Sequence, residues 1–445
     1  MQRLMLAFSV AFIALVSPIA ADDWPQFRGP GAAGVSSSSR LPIVWGESRN
    51  VRWKVEVPGV AWSSPVIAGD RVFITTAVSD SPQEAPKKGL YFGGDRPAPR
   101  QATFRWEVIA LDRRDGSVLW RRVAHNGKPT GAIHIKNTYA SETPVTDGER
   151  LYVYFGAAGL HCLNLDGEII WQKQLGSYKT RFGWGTASSP VLDGDRLFVQ
   201  NDNEDQSFLV AFDKKTGDEL WRVARDEKSS WSTPFIWRTK QRTELVTCAT
   251  NRVRSYDPAT GNLLWELGGM SAICSPTPVA GHDLLFVSSG YVLDARRPLF
   301  AIRPGASGDI TLAGDATSNA GVAWCQKLGG PYIPSPVLVG AHIYVLYDQG
   351  FLACFDARTG RPVYGKQRIE PGAGAFTVSP WSYDDKIFCL SEDGDTFVIA
   401  AGPEYKLIGK NSLDEMFMAT PALGDDAVIL RGLEHVFCIG NRPPK

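Results

Sequence analysis

One phrase recurs along the chain and reads ALDRRDGSVLW at 110–120, AFDKKTGDELW at 211–221, SYDPATGNLLW at 255–265 and CFDARTGRPVY at 354–364. In each copy an aromatic residue lies eight positions after the Asp. An apolar run leads into the Asp, a turn usually containing Thr-Gly follows, and a second short run carries the aromatic residue. This pattern predicts two short antiparallel strands joined by a tight turn.

A second signal is a Pro preceded by Ser or Thr. It occurs at Pro65, Pro144, Pro190, Pro234, Pro278, Pro336, Pro380 and Pro421. The first spacing is 79 residues and the others lie between 41 and 58. Each unit therefore reads as four strands: A carries the Ser-Pro or Thr-Pro pair, B follows a Gly-Asp type turn, C ends at the Asp, and D carries the aromatic residue. Four-stranded units of about 40–45 residues are typical of β-propeller blades.

The two ends of the repeat region complement each other. Residues 51–57 read VRWKVEV, which is a strand D with its Trp but without strands A to C before it. The last unit, from Thr420 to Ile439, has strands A to C and then stops. We therefore predict an all-β, eight-bladed β-propeller with four antiparallel strands per blade. An N-terminal strand completes the last blade and closes the ring, which removes unpaired sheet edges.

The N-terminus has the pattern of a secretory signal peptide, with a basic residue, an apolar run and small residues before an acidic pair. An uncleaved N-terminal anchor is the alternative. No later stretch is long and apolar enough to span a membrane. The predicted organisation is a signal peptide at 1–21, an N-terminal extension at 22–49, one propeller domain at 50–440 and a tail at 441–445.

Composition excludes some classes of function. Lys+Arg and Asp+Glu each number 47, so the chain carries no net charge with which to hold nucleic acid. The seven Cys are widely spaced and include no CxxC, so neither a zinc motif nor a disulfide scaffold is indicated. Several occupy small-residue positions of strand C in different blades. We expect most or all of them to remain unbridged, because their positions are too far apart for a disulfide.

The repeated Ala-x-Asp-x-x-Thr-Gly-x-x-x-Trp phrase resembles that of the quinoprotein-like (PQQ-repeat) eight-bladed propellers. The opening DWPQFRGP at 23–30 looks like the mature start of an exported bacterial subgroup of PQQ-binding-like repeat proteins. More distantly, the chain resembles the BamB-type outer-membrane assembly lipoprotein. The resemblance implies the fold but leaves the function open, since dehydrogenases share the fold. Many PQQ alcohol dehydrogenases also carry a vicinal disulfide, whereas no two Cys are adjacent here.

Long insertions concentrate on one side of the predicted ring. Consecutive antiparallel strands place the A–B and C–D connections on one face and the B–C and D–A connections on the other. We call the second the D–A/B–C face, and it is predicted to carry the long segments at about 78–105, 122–141, 172–187 and 289–298. A C–D stretch at about 303–322 is the exception. Length and variety on one face indicate the place where loops carry function.

Two of these segments provide the candidate binding residues just before strand A of neighbouring blades. They are His134, Lys136, Asn137, Tyr139, Glu142, Arg181 and Trp184. Their cationic, carboxylate, amide and aromatic groups are suited to an anionic or sugar-like group at the channel mouth. The alternative is that the same residues merely connect the loops or cover the channel.

The predicted function is that of an exported, non-enzymatic propeller that binds a protein, peptide or glycan partner through the D–A/B–C face. We expect a monomer in the periplasm or outside the cell, with no nucleic acid partner, cofactor or metal. The alternative is a PQQ- and calcium-dependent oxidoreductase, for which Glu142 and Asp202 are the candidate carboxylates. A hydrolase or lyase on the same scaffold, or a propeller without a ligand, also remains open.

Overall fold

The computed structural model describes residues 23–91 and 100–441. Within these ranges the strands form eight antiparallel sheets of four strands each, and one sheet gains a short parallel strand. The innermost strands of neighbouring sheets contact one another around a central channel. This confirms the predicted eight-bladed all-β propeller. The predicted signal peptide and residues 442–445 of the predicted tail lie outside the described residues.

The blades share one order, from innermost strand A to outermost strand D. In the first four blades the strands, in the order A to D, are Val66–Ala68, Arg71–Ser79, Phe104–Asp112 and Val118–Gly127 in blade 1; Val145–Thr146, Arg150–Tyr154, Leu160–Asn164 and Ile169–Lys173 in blade 2; Val191–Asp193, Arg196–Asn201, Phe208–Asp213 and Glu219–Ala224 in blade 3; and Phe235–Arg238, Thr243–Cys248, Arg252–Tyr256 and Leu263–Gly268 in blade 4. In the last four they are Val279–Gly281, Leu284–Ser288, Leu299–Ile302 and Val322–Gln326 in blade 5; Val337–Val339, His342–Tyr347, Phe351–Asp356 and Pro362–Arg368 in blade 6; Trp381–Tyr383, Lys386–Leu390, Asp395–Ala400 and Leu407–Ser412 in blade 7; and Ala422–Leu423, Ala427–Arg431, His435–Gly440 and Val51–Glu56 in blade 8. Short 3-10 turns lie at Pro30–Ala32, Gly156–Ala158 and Arg181–Gly183.

The N-terminal strand completes the last blade, as predicted. Val51–Glu56 pairs antiparallel with His435–Gly440, and Trp53 lies opposite Cys438. Blade 8 therefore takes its outermost strand from the beginning of the propeller and its three inner strands from the end. This arrangement joins the two ends of the ring through backbone hydrogen bonds.

The repeated Asp-to-Trp phrase joins each blade to its neighbour. In blade 3, Asp213 Oδ1 accepts the backbone N–H of Lys215 at 2.8 Å and so shapes the C–D turn. Gly217 in that turn has φ +73°, and an added Cβ would lie 2.7 Å from the indole of Trp171 in blade 2. The Trp171 Nε1–H donates to the carbonyl of Lys214 at 3.1 Å. The same contacts pair Trp53 with Gly116, Trp120 with Gly167, Trp221 with Gly261 and Trp324 with Gly360.

Blade 5 interrupts this series because residues 303–321 replace its tight C–D turn. Gly308–Asp309 in this insertion pairs parallel with strand D of blade 4. Trp265 of blade 4 lies opposite Gly308 of this insertion instead of a tight turn, and it is fully buried. Its Nε1–H donates instead to Glu244 Oε2 at 2.6 Å. The C–D insertion of blade 5, which the sequence analysis noted as an exception, thus adds a fifth strand to blade 4 and covers the outer edge of its strand D.

The Ser or Thr before each repeated Pro forms a ring of hydrogen bonds around the channel. We call this set the hydroxyl belt, and its members are Ser64, Thr143, Ser189, Thr233, Thr277, Ser335, Ser379 and Thr420. The backbone N–H of each member, from Ser64 to Ser379, donates to the side-chain hydroxyl of the next at 2.9–3.4 Å. Ser64 Oγ is buried and has no hydrogen-bond partner in the described ranges, so the series stops where the two chain ends meet.

The N-terminal extension runs across the face that carries the A–B turns. Trp24 exchanges two backbone hydrogen bonds of 3.0 Å with Ile67 in blade 1. Val35 forms a parallel bridge with Ser382 in blade 7, on the other side of the closure. Between them, Phe27 reaches the central channel. The segment therefore covers the channel at the end opposite the D–A/B–C face.

Arg28 follows Phe27 and is fully buried beneath the channel. Its Nη2 donates to the carbonyls of Pro336 at 2.6 Å and Ala33 at 3.1 Å. Burial lowers the pKa of this guanidinium to about 9. The contact with Pro336 ties the extension to blade 6.

The cysteines are all buried and unbridged. On strand C, Cys162 lies opposite Trp171, which explains why this position takes a small side chain. The prediction that all seven cysteines lie far from one another is wrong for one pair. The thiol of Cys248 lies beside that of Cys274 between blades 4 and 5, and this neighbour, together with burial, raises the pKa of Cys274 well above its usual value.

Two glycine substitutions in blade 3 test the contact between neighbouring blades. Both Gly194 and Gly217 have positive φ, so Ala at either position costs about 1 kcal/mol of backbone strain. A Cβ at Gly194 meets no heavy atom within 4 Å, whereas one at Gly217 overlaps the Trp171 ring. We expect Gly217→Ala to lower the free energy of unfolding by about 2 kcal/mol more than Gly194→Ala, because the indole must move. Equal losses in chemical denaturation would show that the indole does not require the glycine.

The hydroxyl belt makes a separate prediction. Thr233→Val removes the acceptor of the Ser189 N–H, and we expect a loss of about 1–3 kcal/mol because a buried amide is left unpaired. Ser64→Ala is the matched control, since the Ser64 hydroxyl has no partner to lose. Thermal and chemical unfolding measure both variants. A control as destabilised as Thr233→Val would contradict the role given to the belt.

Candidate functional site

A cavity of about 370 Å³ occupies the channel on the D–A/B–C side. Every belt residue except Ser64 lines it, and the N-terminal extension contributes Phe27. Connections from several blades form its upper part, including Gly89, Leu90 and Tyr91 from the B–C insertion of blade 1. The predicted channel-mouth location therefore coincides with a cavity in the size range of small-ligand sites.

Seven of the belt hydroxyls belong to residues that line this cavity. Each cavity-lining member accepts one backbone N–H through its hydroxyl oxygen. The described residues include no acceptor for the protons of these hydroxyls. A Ser or Thr hydroxyl has one donor and two acceptor sites. The belt therefore offers the cavity a ring of groups that can both donate and accept.

Aromatic side chains form two sides of the cavity. Trp62, Trp184 and Trp231 line it from connections that precede strands A. The Trp184 and Trp231 rings lie 5.7 Å apart at 42°, and the Trp231 Nε1–H donates to the carbonyl of Gly185 at 2.8 Å. This bond fixes the indole while leaving its ring partly exposed.

On the side of blades 5 and 6, Tyr291 and Tyr332 lie 5.3 Å apart and also line the cavity. The sequence analysis singled out Trp184 but gave no signal for the two Tyr residues, which come from connections of different blades.

Lys136 forms a buried ion pair across the channel mouth. Its Nζ lies 2.5 Å from Glu392 Oε1, in the B–C turn of blade 7, and 2.9 Å from the carbonyl of Gly89. Glu392 is 1% exposed, and its Oε2 accepts the backbone N–H of Gly89 at 2.7 Å. Thr377 completes the cluster by donating to Glu392 at 2.5 Å. The Lys136 charge is therefore compensated within the protein, and sequence spacing alone could not place Glu392 beside it.

Asp348 provides a second carboxylate, which sequence reasoning missed. It follows strand B of blade 6, is 6% exposed and lines the cavity. Burial raises the pKa of its carboxyl group, while Lys136 and Lys366 lower it and Glu392 raises it. Its own backbone amide approaches the carboxylate, and the described residues supply no ion-pair partner within 4 Å.

The predicted binding residues fall into two groups. His134, Lys136, Asn137 and Trp184 line the cavity. Asn137 also joins the two loops, because its Nδ2 donates to the Trp184 carbonyl at 2.7 Å. The His134 ring packs edge-on against Trp184 at 5.1 Å.

Tyr139, Glu142 and Arg181 lie outside the cavity lining. Tyr139 packs edge-on against Phe104 at 5.1 Å. Arg181 donates to the carbonyl of Ala272 at 3.2 Å. These contacts match the alternative role of connecting loops.

The sequence comparison identifies the family. The sequence model described as "Outer membrane protein assembly factor BamB" matches residues 105–297 and 249–401, together more than half of the chain. The chain belongs to this family.

A curated relative and two solved structures extend the comparison. Outer membrane protein assembly factor BamB of Burkholderia pseudomallei (strain K96243) is 27% identical over 244 residues, which cover 45% of this chain and 60% of that protein. The crystal structure of BamB from Moraxella catarrhalis has a TM-score of 0.55 at 11% identity, over 86% of this chain and 98% of that one. Quinohemoprotein alcohol dehydrogenase from Comamonas testosteroni has a TM-score of 0.57 at 11% identity, over 96% and 82%. At such identities the structural likeness shows a shared fold.

The carboxylates predicted from sequence for PQQ and calcium chemistry do not line the cavity of this BamB-family propeller. Glu142 is buried outside the lining and accepts the Thr186 hydroxyl. Asp202, a candidate carboxylate for that chemistry, is fully buried in an ion pair with Arg225 at 2.8 Å. The described ranges also hold no cluster of three or more His, Cys, Asp or Glu residues suited to a metal ion.

One further observation bears on the membrane. No helix in the described ranges has the length and apolar character needed to cross a bilayer.

Glu142 gives a testable pH dependence. It is buried, accepts the Thr186 hydroxyl at 2.5 Å, and burial raises its pKa from 4.5 to about 7. Between these values the folded state keeps a proton that the unfolded state releases, so this group makes stability fall as pH rises. We expect Glu142→Gln to match the wild type near pH 4 and to be more stable at pH 8 by up to about 3 kcal/mol. Chemical denaturation at a series of pH values tests this, and a constant difference across the series would contradict it.

Proposed function

We propose that this protein is an exported binding scaffold that holds a protein partner against its D–A/B–C face. The observation that carries the proposal is the set of exposed large apolar side chains on the connections of that face. They are Leu90, Tyr91, Phe182, Leu293 and Leu328, each between 43% and 65% exposed. Most other exposed large apolar side chains of the described residues lie on strands D. Apolar groups exposed on loops with polar surroundings are typical of protein interaction sites.

Phe182 is the strongest candidate anchor. It is 51% exposed and has φ +54°, a conformation that is costly for a side chain of this size. The turn is supported on both sides, because Arg181 N–H donates to Ser229 Oγ at 2.8 Å and Gly183 N–H donates to the Thr180 carbonyl at 2.9 Å. A rigidly presented aromatic side chain loses little entropy on binding, which favours a hot spot.

The family description supports a partner engaged in outer membrane protein assembly. The signal-peptide pattern supports export to the periplasm. We propose a monomer that contributes binding and no chemistry. The internal pairing of Lys136 with Glu392 supports this, because it holds the loops in one arrangement rather than offering a free catalytic group.

A matched pair of positions in the same blade tests the face. Phe182 and Leu220 are similarly exposed, at 51% and 48%, but Leu220 begins strand D near the opposite face. The photo-reactive residue p-benzoylphenylalanine is placed at position 182 or 220 in cells that produce the protein. We expect a discrete protein adduct from position 182 and none from 220, because the partner contacts the D–A/B–C face.

Phe182→Ala completes the test. We expect at least a tenfold weaker affinity for the cross-linked partner, with an unchanged melting temperature, since the side chain is exposed in the free protein. Adducts from position 220 alone, or undiminished affinity of Phe182→Ala, would contradict the proposed face.

A further inference from the structure

We propose that the channel cavity binds a neutral mono- or disaccharide. Leu90 and Tyr91 border both this cavity and the proposed protein interface, but the belt and the Trp residues belong to the cavity alone, so the inference stands whether or not that interface is correct. Three observations carry it: the unused hydroxyl groups of the belt, the aromatic sides of the cavity and the balance of its charges.

The belt matches the chemistry of sugar hydroxyls. Its cavity-lining members each have their oxygen fixed by a backbone N–H of the preceding blade and retain a proton and a lone pair. A sugar hydroxyl likewise donates one hydrogen bond and accepts others. A ring of such groups can therefore pair with several adjacent sugar hydroxyls without leaving a buried polar group unpaired.

The aromatic rings provide the complementary apolar surface. Trp184 and Trp231 remain partly exposed toward the cavity, and Trp62 contributes a third indole. The C–H faces of a pyranose ring are apolar, so they pack on an indole while the equatorial hydroxyls point toward polar groups. Hydrogen bonds from Trp62 Nε1 to the Lys136 carbonyl and from Trp231 Nε1 to the Gly185 carbonyl, both 2.8 Å, hold two of these rings before a ligand arrives.

The charges disfavour an anionic ligand. Lys136 is the cation expected from sequence to attract an anion, but Glu392 compensates it at 2.5 Å. Asp348 faces the cavity without an ion-pair partner among the described residues and can accept hydrogen bonds from neighbouring sugar hydroxyls. A phosphate or carboxylate on the ligand would be repelled by Asp348 and would find no free cation in the described lining.

Binding can be tested on the purified full-length protein. The probes are glucose, galactose, mannose, N-acetylglucosamine, maltose, cellobiose, lactose and diacetylchitobiose, with glucuronate and glucose 6-phosphate as acidic counterparts. Tryptophan fluorescence and calorimetry report binding. We expect at least one neutral sugar to bind, and its acidic counterpart to bind at least tenfold more weakly.

Two variants locate the ligand. Asp348→Asn keeps the shape of the side chain, and we expect about tenfold weaker binding or more because a charge-assisted hydrogen bond is lost. Trp184→Leu should weaken binding to a similar degree. The control is Asp218→Asn, which lies in the exposed C–D turn of blade 3 and should bind as the wild type does.

The proposal is overturned if no neutral sugar of the panel binds, if the acidic counterparts bind as tightly, or if Asp348→Asn binds like the wild type. Should Trp184→Leu fail to fold, Asp348→Asn alone decides. Photo-cross-linking from position 182 is an independent measurement, so a failure here is distinguishable from a failure of the proposed protein interface.

Discussion

The hydrogen bond between consecutive members of the hydroxyl belt sets the geometry on which the channel depends. In each link a backbone N–H at the start of strand A would otherwise be buried unpaired, which costs about 1–3 kcal/mol. The following Pro has no N–H of its own and restricts φ, so the Ser or Thr must supply the polar contact to the neighbouring blade. The repeated Ser-Pro or Thr-Pro pair therefore fixes the distance between innermost strands. In the outer part of the ring, the contacts between Trp and Gly fix the distance between strand D of one blade and the C–D turn of the next.

The fold could be predicted because its determinants are local and periodic. The Asp-to-Trp phrase and the Ser-Pro pair each lie within a few residues, and the lone strand D at 51–57 identified the closure. Blade 5 departs from the rule because its C–D turn is replaced, and the sequence marked that place as an exception without indicating that it adds a strand to blade 4.

The site could be predicted only in outline. Insertion lengths indicated the D–A/B–C face, on whose side the cavity lies, and four of the seven candidate residues line that cavity. The partners of those residues come from distant blades: Glu392 lies 256 positions from Lys136. Asp348 resembles an ordinary turn residue in the sequence. Cys248 and Cys274 belong to different repeats, so the sequence did not indicate that their thiols lie side by side. Periodicity describes one blade at a time, whereas the cavity arises from side chains that meet across the channel.

The closure of blade 8 has a consequence for how the chain folds. Val51–Glu56 is among the first parts of the propeller to be synthesised, yet its partner His435–Gly440 is among the last. Pairing these two strands closes a loop of almost the entire chain, which costs conformational entropy. Contacts between residues so far apart in sequence are associated with slow folding. Until then the early strand is an unpaired edge able to pair with another chain. A nascent chain of this architecture therefore depends on protection from aggregation until its last blade has emerged.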